Sequence, residues 1–102
     1  MSLENLLRIL ELKTEKFSSG KIASMLYTDI PTLKAVNRID VLYSKYKNKA
    51  FNFIKQNLTD EEIVYKLFLS LVTNNEKKLQ QALKIIKFWR SEYNRKMSQS
   101  SQ

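Results

Sequence analysis

Apolar residues recur along most of this chain at spacings of three and four, which is the period of an amphipathic helix. In the first segment the recurring positions are Leu3, Leu6, Leu7 and Leu10. This pattern predicts a first helix that is capped by Ser2 and runs to about Lys16. Gly20 is expected to take a positive φ where that helix breaks, and a second, short helix is predicted from Lys21 to Tyr27.

The third predicted helix is the longest and runs from about Pro31 to Gln56. Pro31 suits the first turn of a helix, because its missing N–H has no partner there in any case. The apolar seam steps by three and four residues through Val36, Ile39, Tyr43, Tyr46, Ala50 and Phe53. Leu42 and Ile54 widen this seam, which favours packing in a bundle over an isolated coiled coil.

The strongest local signal follows the third helix. Thr59 and Glu62 have the spacing of a capping box, and Leu58 and Ile63 occupy the two hydrophobic staple positions around it. The acidic residues at the start of the predicted fourth helix also complement the positive end of its dipole. We therefore interpret this acidic cluster as helix-capping chemistry, and we predict that the helix runs to about Thr73.

A fifth helix is predicted after a turn at Asn74 and Asn75, with Asn75 as its cap. Its seam consists of Leu79, Ala82, Ile86, Trp89 and Tyr93. The helix is expected to end near Lys96, and the Ser- and Gln-rich residues 97–102 are expected to form a disordered tail.

These elements predict an all-α fold, a compact bundle of four to five helices with short connections. No strand-like alternation stands out. The length of 102 residues fits one domain, which we place at residues 1–96.

The composition argues against most enzyme classes. The chain contains no His, no Cys and a single Gly, so the usual nucleophile–base pairs and glycine-rich phosphate loops are missing. The only acidic cluster is explained by capping. We therefore expect a protein that is not an enzyme, with no catalytic residues, no metal site and no cofactor.

The chain shows no signal for secretion or for a membrane. The N-terminal leucines are interrupted by charged residues, and no apolar run approaches the roughly 20 residues of a membrane span. With no cysteine for disulfides, we expect a cytoplasmic protein without membrane contact.

The net charge of +8 is concentrated on the third and fifth helices. This concentration is consistent with phosphate contacts, and a basic face that only keeps the protein in solution is the alternative. The candidate nucleic-acid-binding residues are Lys45, Lys49, Lys84, Lys87, Arg90 and Arg95. Contacts to phosphates are favoured over a helix-turn-helix that reads bases.

Four aromatic residues are candidates for binding a protein partner: Tyr43, Tyr46, Trp89 and Tyr93. All four lie on the predicted seams of the third and fifth helices. For Trp89 and Tyr93, the alternative interpretation is that they belong to the core of the protein itself, and the seam position favours that interpretation.

The stretch from Arg38 to Leu69 resembles the helical A-domain of archaeal GINS replication subunits. The matching residues are Leu42, Tyr43, Lys45 and Lys49 on a long basic helix, followed by Leu58, Thr59, Glu61 and Glu62 at the turn. This resemblance implies a non-catalytic scaffold at the replication fork, which joins the MCM helicase to a RecJ-like partner.

Three functions remain open. The first is a non-enzymatic adaptor or scaffold in a nucleic-acid-processing complex, for which DNA replication is the resemblance's suggestion. The second is a small DNA- or RNA-binding protein, such as a viral or plasmid regulator or a small CRISPR subunit, that contacts phosphates through the third and fifth helices. The third is a helical homo-oligomer.

Overall fold

The computed structural model describes residues 3–26, 32–68 and 76–100. The described part consists of five helices and contains no strand: α1 (Leu3–Thr14), α2 (Ser19–Leu26), α3 (Thr32–Lys55), α4 (Asp60–Leu67) and α5 (Glu76–Ser100). The predicted all-α fold class is confirmed. The expected features at Ser2, Pro31 and Asn74–Asn75 lie outside the described residues.

The chain divides into two compact units, Met1–Tyr46 and Lys47–Gln102. The division falls within α3, which is one continuous helix. The single domain at residues 1–96 stays a prediction.

The first unit is built on an apolar cluster from α1, α2 and the N-terminal half of α3. The buried members are Ile9, Leu12, Ile22, Ala23, Ala35 and Ile39. Phe17, Leu26, Val36 and Leu42 pack around this cluster and are partly buried. The helical spacing of three and four residues therefore places each apolar stripe on the inside, as the sequence pattern predicts.

The end of α1 shows where the chain needs a left-handed residue. Lys16 has a φ of 74°. The Lys16 N–H donates to the Lys13 carbonyl at 3.1 Å, and the Phe17 N–H donates to the Leu12 carbonyl at 3.1 Å. This pair of bonds is the Schellman motif, which satisfies carbonyls that the helix end leaves without a partner.

The expectation that Gly20 takes a positive φ is wrong. Gly20 lies inside α2, and no glycine has a positive φ. The helix begins earlier than predicted because the Ser18 hydroxyl accepts a hydrogen bond from the Lys21 N–H at 3.2 Å and so caps it. The reversal of the chain was already accomplished at Lys16, so no left-handed glycine is needed.

The end of α3 repeats the geometry at the end of α1. Asn57 has a φ of 65°. Its N–H donates to the Ile54 carbonyl at 2.9 Å, and the Leu58 N–H donates to the Phe53 carbonyl at 3.2 Å. Asn tolerates this left-handed conformation better than most residues, so the sequence suits its position.

The predicted capping box at the start of α4 is confirmed. The Thr59 hydroxyl accepts from the Glu62 N–H at 3.2 Å, and the Glu62 carboxylate accepts from the Thr59 N–H at 3.1 Å. The helix ends earlier than Thr73, because Phe68 leaves the helical conformation with φ −128° and ψ 41°. Residues 69–75 lie outside the described part of the chain.

The second unit has its buried side chains on α4, α5 and the C-terminal end of α3. They are Ala50, Ile54, Ile63, Val64, Phe68, Ala82, Leu83, Ile85, Ile86 and Trp89. Contacts join α4 to α5. Helix α5 continues to Ser100, beyond its predicted end near Lys96, so its backbone is helical over part of the segment expected to be a disordered tail.

Candidate nucleic-acid interface

Helix α5 has one buried side and one basic side. The buried side carries Ile85, Ile86 and Trp89, whose side chains have no exposed surface. Lys84, Lys87 and Arg95 are all exposed. At 3.6 residues per turn, these three cations fall within one stripe of the helix surface, away from the buried side.

This stripe is long enough to follow a polyanion. Lys84 and Arg95 are separated by about 16 Å along the helix axis at the standard rise per residue. Duplex DNA carries about ten phosphate charges over that axial length. Lys77 lies two turns before Lys84 in the same stripe and is also exposed. We call the set Lys77, Lys84, Lys87 and Arg95 the α5 basic face.

Arg90 does not belong to the α5 basic face, although the sequence proposed it as a nucleic-acid contact. Its Nε donates to the Asp60 carboxylate at 2.6 Å, and its NH2 group donates to the Leu58 carbonyl at 2.7 Å. Its side chain is only 31% exposed. Arg90 therefore ties α5 to the start of α4. Charge alone could not separate it from its neighbours, because the distinction depends on the side of the helix that meets α4.

Arg95 stands at the edge of a small groove in the second unit. The groove is lined by Lys47, Phe51, Glu92, Arg95 and Lys96. The Glu92 carboxylate lies 3.4 Å from the Lys47 ammonium and 4.0 Å from the Arg95 guanidinium. Arg95 remains 66% exposed, and an ion pair of that length at an exposed site is weak.

Lys45 and Lys49 are both exposed on α3, one turn apart. Lys45 belongs to the first unit and Lys49 to the second. Their role as nucleic-acid contacts stays a prediction.

The aromatic residues proposed for partner binding are largely engaged within their own units. Trp89 is completely buried, which confirms its interpretation as a core residue and removes it from any surface. Tyr93 meets Phe51 edge to face at 5.4 Å between ring centroids. The Lys13 ammonium lies over the Tyr43 ring at 5.4 Å from its centroid, and Tyr46 is half-buried.

The first unit contains a polar cluster that the sequence did not indicate. The Lys13 ammonium donates to the Ser19 hydroxyl at 3.1 Å, and Ser19 in turn donates to the Asp40 carboxylate. Lys13 and Asp40 are also 3.8 Å apart. The arrangement ties α1, α2 and α3 together, and these three residues are too far apart in sequence for spacing to reveal it.

Two acidic residues at the start of α4, Asp60 and Glu62, form hydrogen bonds that stabilise the structure. The Thr59 backbone N–H and hydroxyl, bonded to Glu62, lower the pKa of the Glu62 carboxyl. The Asp60 carboxylate accepts the hydrogen bond from the Arg90 Nε. Within the described residues, no group of three or more His, Cys, Asp or Glu side chains comes together as a metal site would require.

No helix in the described part of the chain is both long enough and apolar enough to cross a membrane. The chain matches no protein-family description, no curated protein and no solved structure. The resemblance of Arg38–Leu69 to a GINS A-domain therefore stays a prediction.

Proposed function

We propose that this chain is a non-enzymatic helical binding protein that contacts a nucleic-acid backbone through the α5 basic face. The observation that carries the proposal is the division of α5 into a buried apolar side and an exposed basic side. A helix held in this way presents its cations in one direction, which suits a linear array of phosphates.

The contact is expected to be independent of sequence. Between the cations of the α5 basic face, the exposed residues are the polar Gln80, Ser91 and Asn94, and Phe88 is half-buried. Three of the four cations of the α5 basic face are lysines, whose ammonium groups bind phosphate oxygens as point charges. We therefore assign the α5 basic face to positioning on the backbone.

A role as adaptor in a nucleic-acid-processing complex is the wider form of this proposal. Its support is the basic face together with the resemblance of Arg38–Leu69 to a replication scaffold. A subunit of such a complex needs a nucleic-acid contact and a protein contact on separate surfaces. Leu33 and Val41, which are exposed on α3, favour the second contact.

The test compares two triple variants by fluorescence anisotropy with a labelled 20-base-pair duplex and a labelled single strand. The first is Lys84→Glu, Lys87→Glu and Arg95→Glu. The matched control reverses three exposed cations of α3 that are not among the candidate nucleic-acid contacts: Lys34→Glu, Arg38→Glu and Lys55→Glu. Each reversal changes the charge by two, so both variants fall from +8 to +2.

We expect the α5 variant to lose binding and the α3 variant to keep most of it. Four phosphate contacts from the α5 basic face give a salt slope of about −3.6, so wild-type affinity should fall about 150-fold between 50 and 200 mM salt. Equal losses in both variants would mean that total charge alone is responsible, and the assignment to α5 would be abandoned.

A further inference from the structure

A second exposed surface lies on the N-terminal half of α3, within the first unit. Leu33 is 75% exposed and Val41 is 67% exposed. These two residues are eight positions apart, so they lie on neighbouring lines of the same helix surface. A shallow groove beside Val41 is lined by Asn37, Arg38, Val41, Leu42 and Lys45.

The folding of the first unit does not account for these apolar side chains. The inner side of the same helix half carries Ala35 and Ile39, which have no exposed surface and belong to the core cluster. Leu33 and Val41 lie outside that cluster, so their exposed surface adds no burial to the core of the first unit. Val41 and Leu42 line the groove, and Leu33 adds an exposed apolar side chain about two turns earlier. Exposed apolar surface with a polar rim marks sites that bind another protein.

The charges around this groove select its occupant. Lys34, Arg38 and Lys45 are exposed along one edge of Val41. Asp40 is the single acidic residue of α3, and it is engaged with Ser19 and Lys13. The groove is therefore apolar in its centre and positive along its rim, and no carboxylate of α3 is free to neutralise that rim.

Two other occupants fit this surface less well. A second copy of the chain would bring another net charge of +8 to a positive rim. A nucleic acid would use the cations, but the exposed Leu33 and Val41 have no counterpart on a phosphate backbone.

From these observations we propose that this α3 surface docks an acidic amphipathic helix of a partner protein. The apolar side of that helix packs on Leu33 and Val41, and its carboxylates meet Lys34, Arg38 and Lys45. This is the helix-in-groove mode of recognition, in which apolar anchors bind and flanking charges set the orientation. The proposal does not depend on the α5 basic face.

The experiment is a selection from a displayed library of random 16-residue peptides against the full chain. The expected winners carry apolar residues at spacings of three and four, with Asp or Glu beside them. Val41→Asp should reduce the affinity of a winning peptide about tenfold or more. Because Val41 is exposed, this variant should keep the helical circular dichroism and the thermal midpoint of the wild type.

The two triple variants described above separate this proposal from the nucleic-acid contact. The α3 variant should lose the peptide and keep the duplex, whereas the α5 variant should keep the peptide and lose the duplex. The proposal is overturned if no peptide is enriched, if the winners lack acidic residues, or if Val41→Asp leaves their affinity unchanged.

Discussion

The outer surfaces of α3 in the first unit and of α5 in the second are both basic, yet they differ in what lies between the cations. On α3, Leu33 and Val41 stand beside the charges. On α5, the exposed residues of the described stripe from Lys77 to Arg95 are charged or polar, and Phe88 on the same stripe is half-buried. The first surface suits a partner with an apolar side, and the second suits a phosphate chain.

The difference teaches that positive charge by itself does not identify a partner. A net charge divided between two helices can serve two functions, and the side chains between the cations decide which one. Arg90 makes the same point from the other direction. It is as basic as Arg95, but its hydrogen bonds to Asp60 and Leu58 make it part of the packing.

The largest expected effect is on stability and comes from removing the buried Trp89 side chain of α5. Trp89→Ala should lower the free energy of unfolding by about 3–5 kcal/mol, because it removes a large, completely buried side chain. Urea denaturation followed by circular dichroism measures this loss. Met97→Ala on the same helix is the control and should change stability by less than about 0.5 kcal/mol, since Met97 is exposed. A small loss in Trp89→Ala would contradict the two-sided description of α5.

A smaller effect separates the two arginines of α5. Arg90→Ala should destabilise the protein by about 1–3 kcal/mol, because the Leu58 carbonyl and the Asp60 carboxylate lose their donor. Arg95→Ala should leave stability nearly unchanged and weaken duplex binding more than Arg90→Ala does. Thermal melts rank the two variants by loss of stability, and anisotropy titrations rank them by loss of duplex affinity. If the same variant shows the larger loss in both measurements, the separation of Arg90 from the α5 basic face fails.

The smallest expected effect is a difference in pH dependence between the N-terminal cap of α2 in the first unit and that of α4 in the second. The α4 cap uses the Glu62 carboxylate, whereas the described cap of α2 uses the Ser18 hydroxyl, which does not titrate. The pKa of Glu62 is lowered by its hydrogen bonds to Thr59, so the stabilisation is present above the ordinary value of 4.5 and is lost as the pH falls through the lowered value.

NMR measures this difference between the two caps by following the amide proton shifts as the pH is lowered from 7 in steps of about one pH unit. The Thr59 amide should move as Glu62 is protonated, and the Lys21 amide at the α2 cap should not. Glu62→Gln is the control, because it keeps the shape of the side chain and removes the titration. A Thr59 amide that titrates equally in this variant would show that another group is responsible.

Local features such as helix caps could be predicted where both hydrogen-bonding partners are close together in the sequence. Thr59 and Glu62 are three residues apart, so their capping box depends on nothing beyond the turn itself. Of the predicted seam positions of α3 and α5, Ile39, Ala50, Ala82, Ile86 and Trp89 are buried, and the others are half-buried. Glycine's preference for a positive φ points to Gly20 for the left-handed turn, but the chain has that turn at Lys16.

The candidate sites required more than spacing. Lys13, Ser19 and Asp40 come together from three helices. Helical spacing places Arg90 off the stripe that carries Lys84 and Arg95, but only the tertiary structure shows that Arg90 binds Asp60. The exposed Leu33 and Val41 lie off the predicted seam, which was the one signal in the sequence that they were available to a partner.

The sequence by itself determined the all-α class, the positions of the five helices to within a few residues at most described ends, and the cap of α4. These features arise from interactions between residues close along the chain. The tertiary structure alone decided which cations reach the surface, which are used in packing, and which apolar residues remain outside the core. Those outcomes depend on which side of each helix another helix covers, and that side is set by contacts between residues far apart in the sequence.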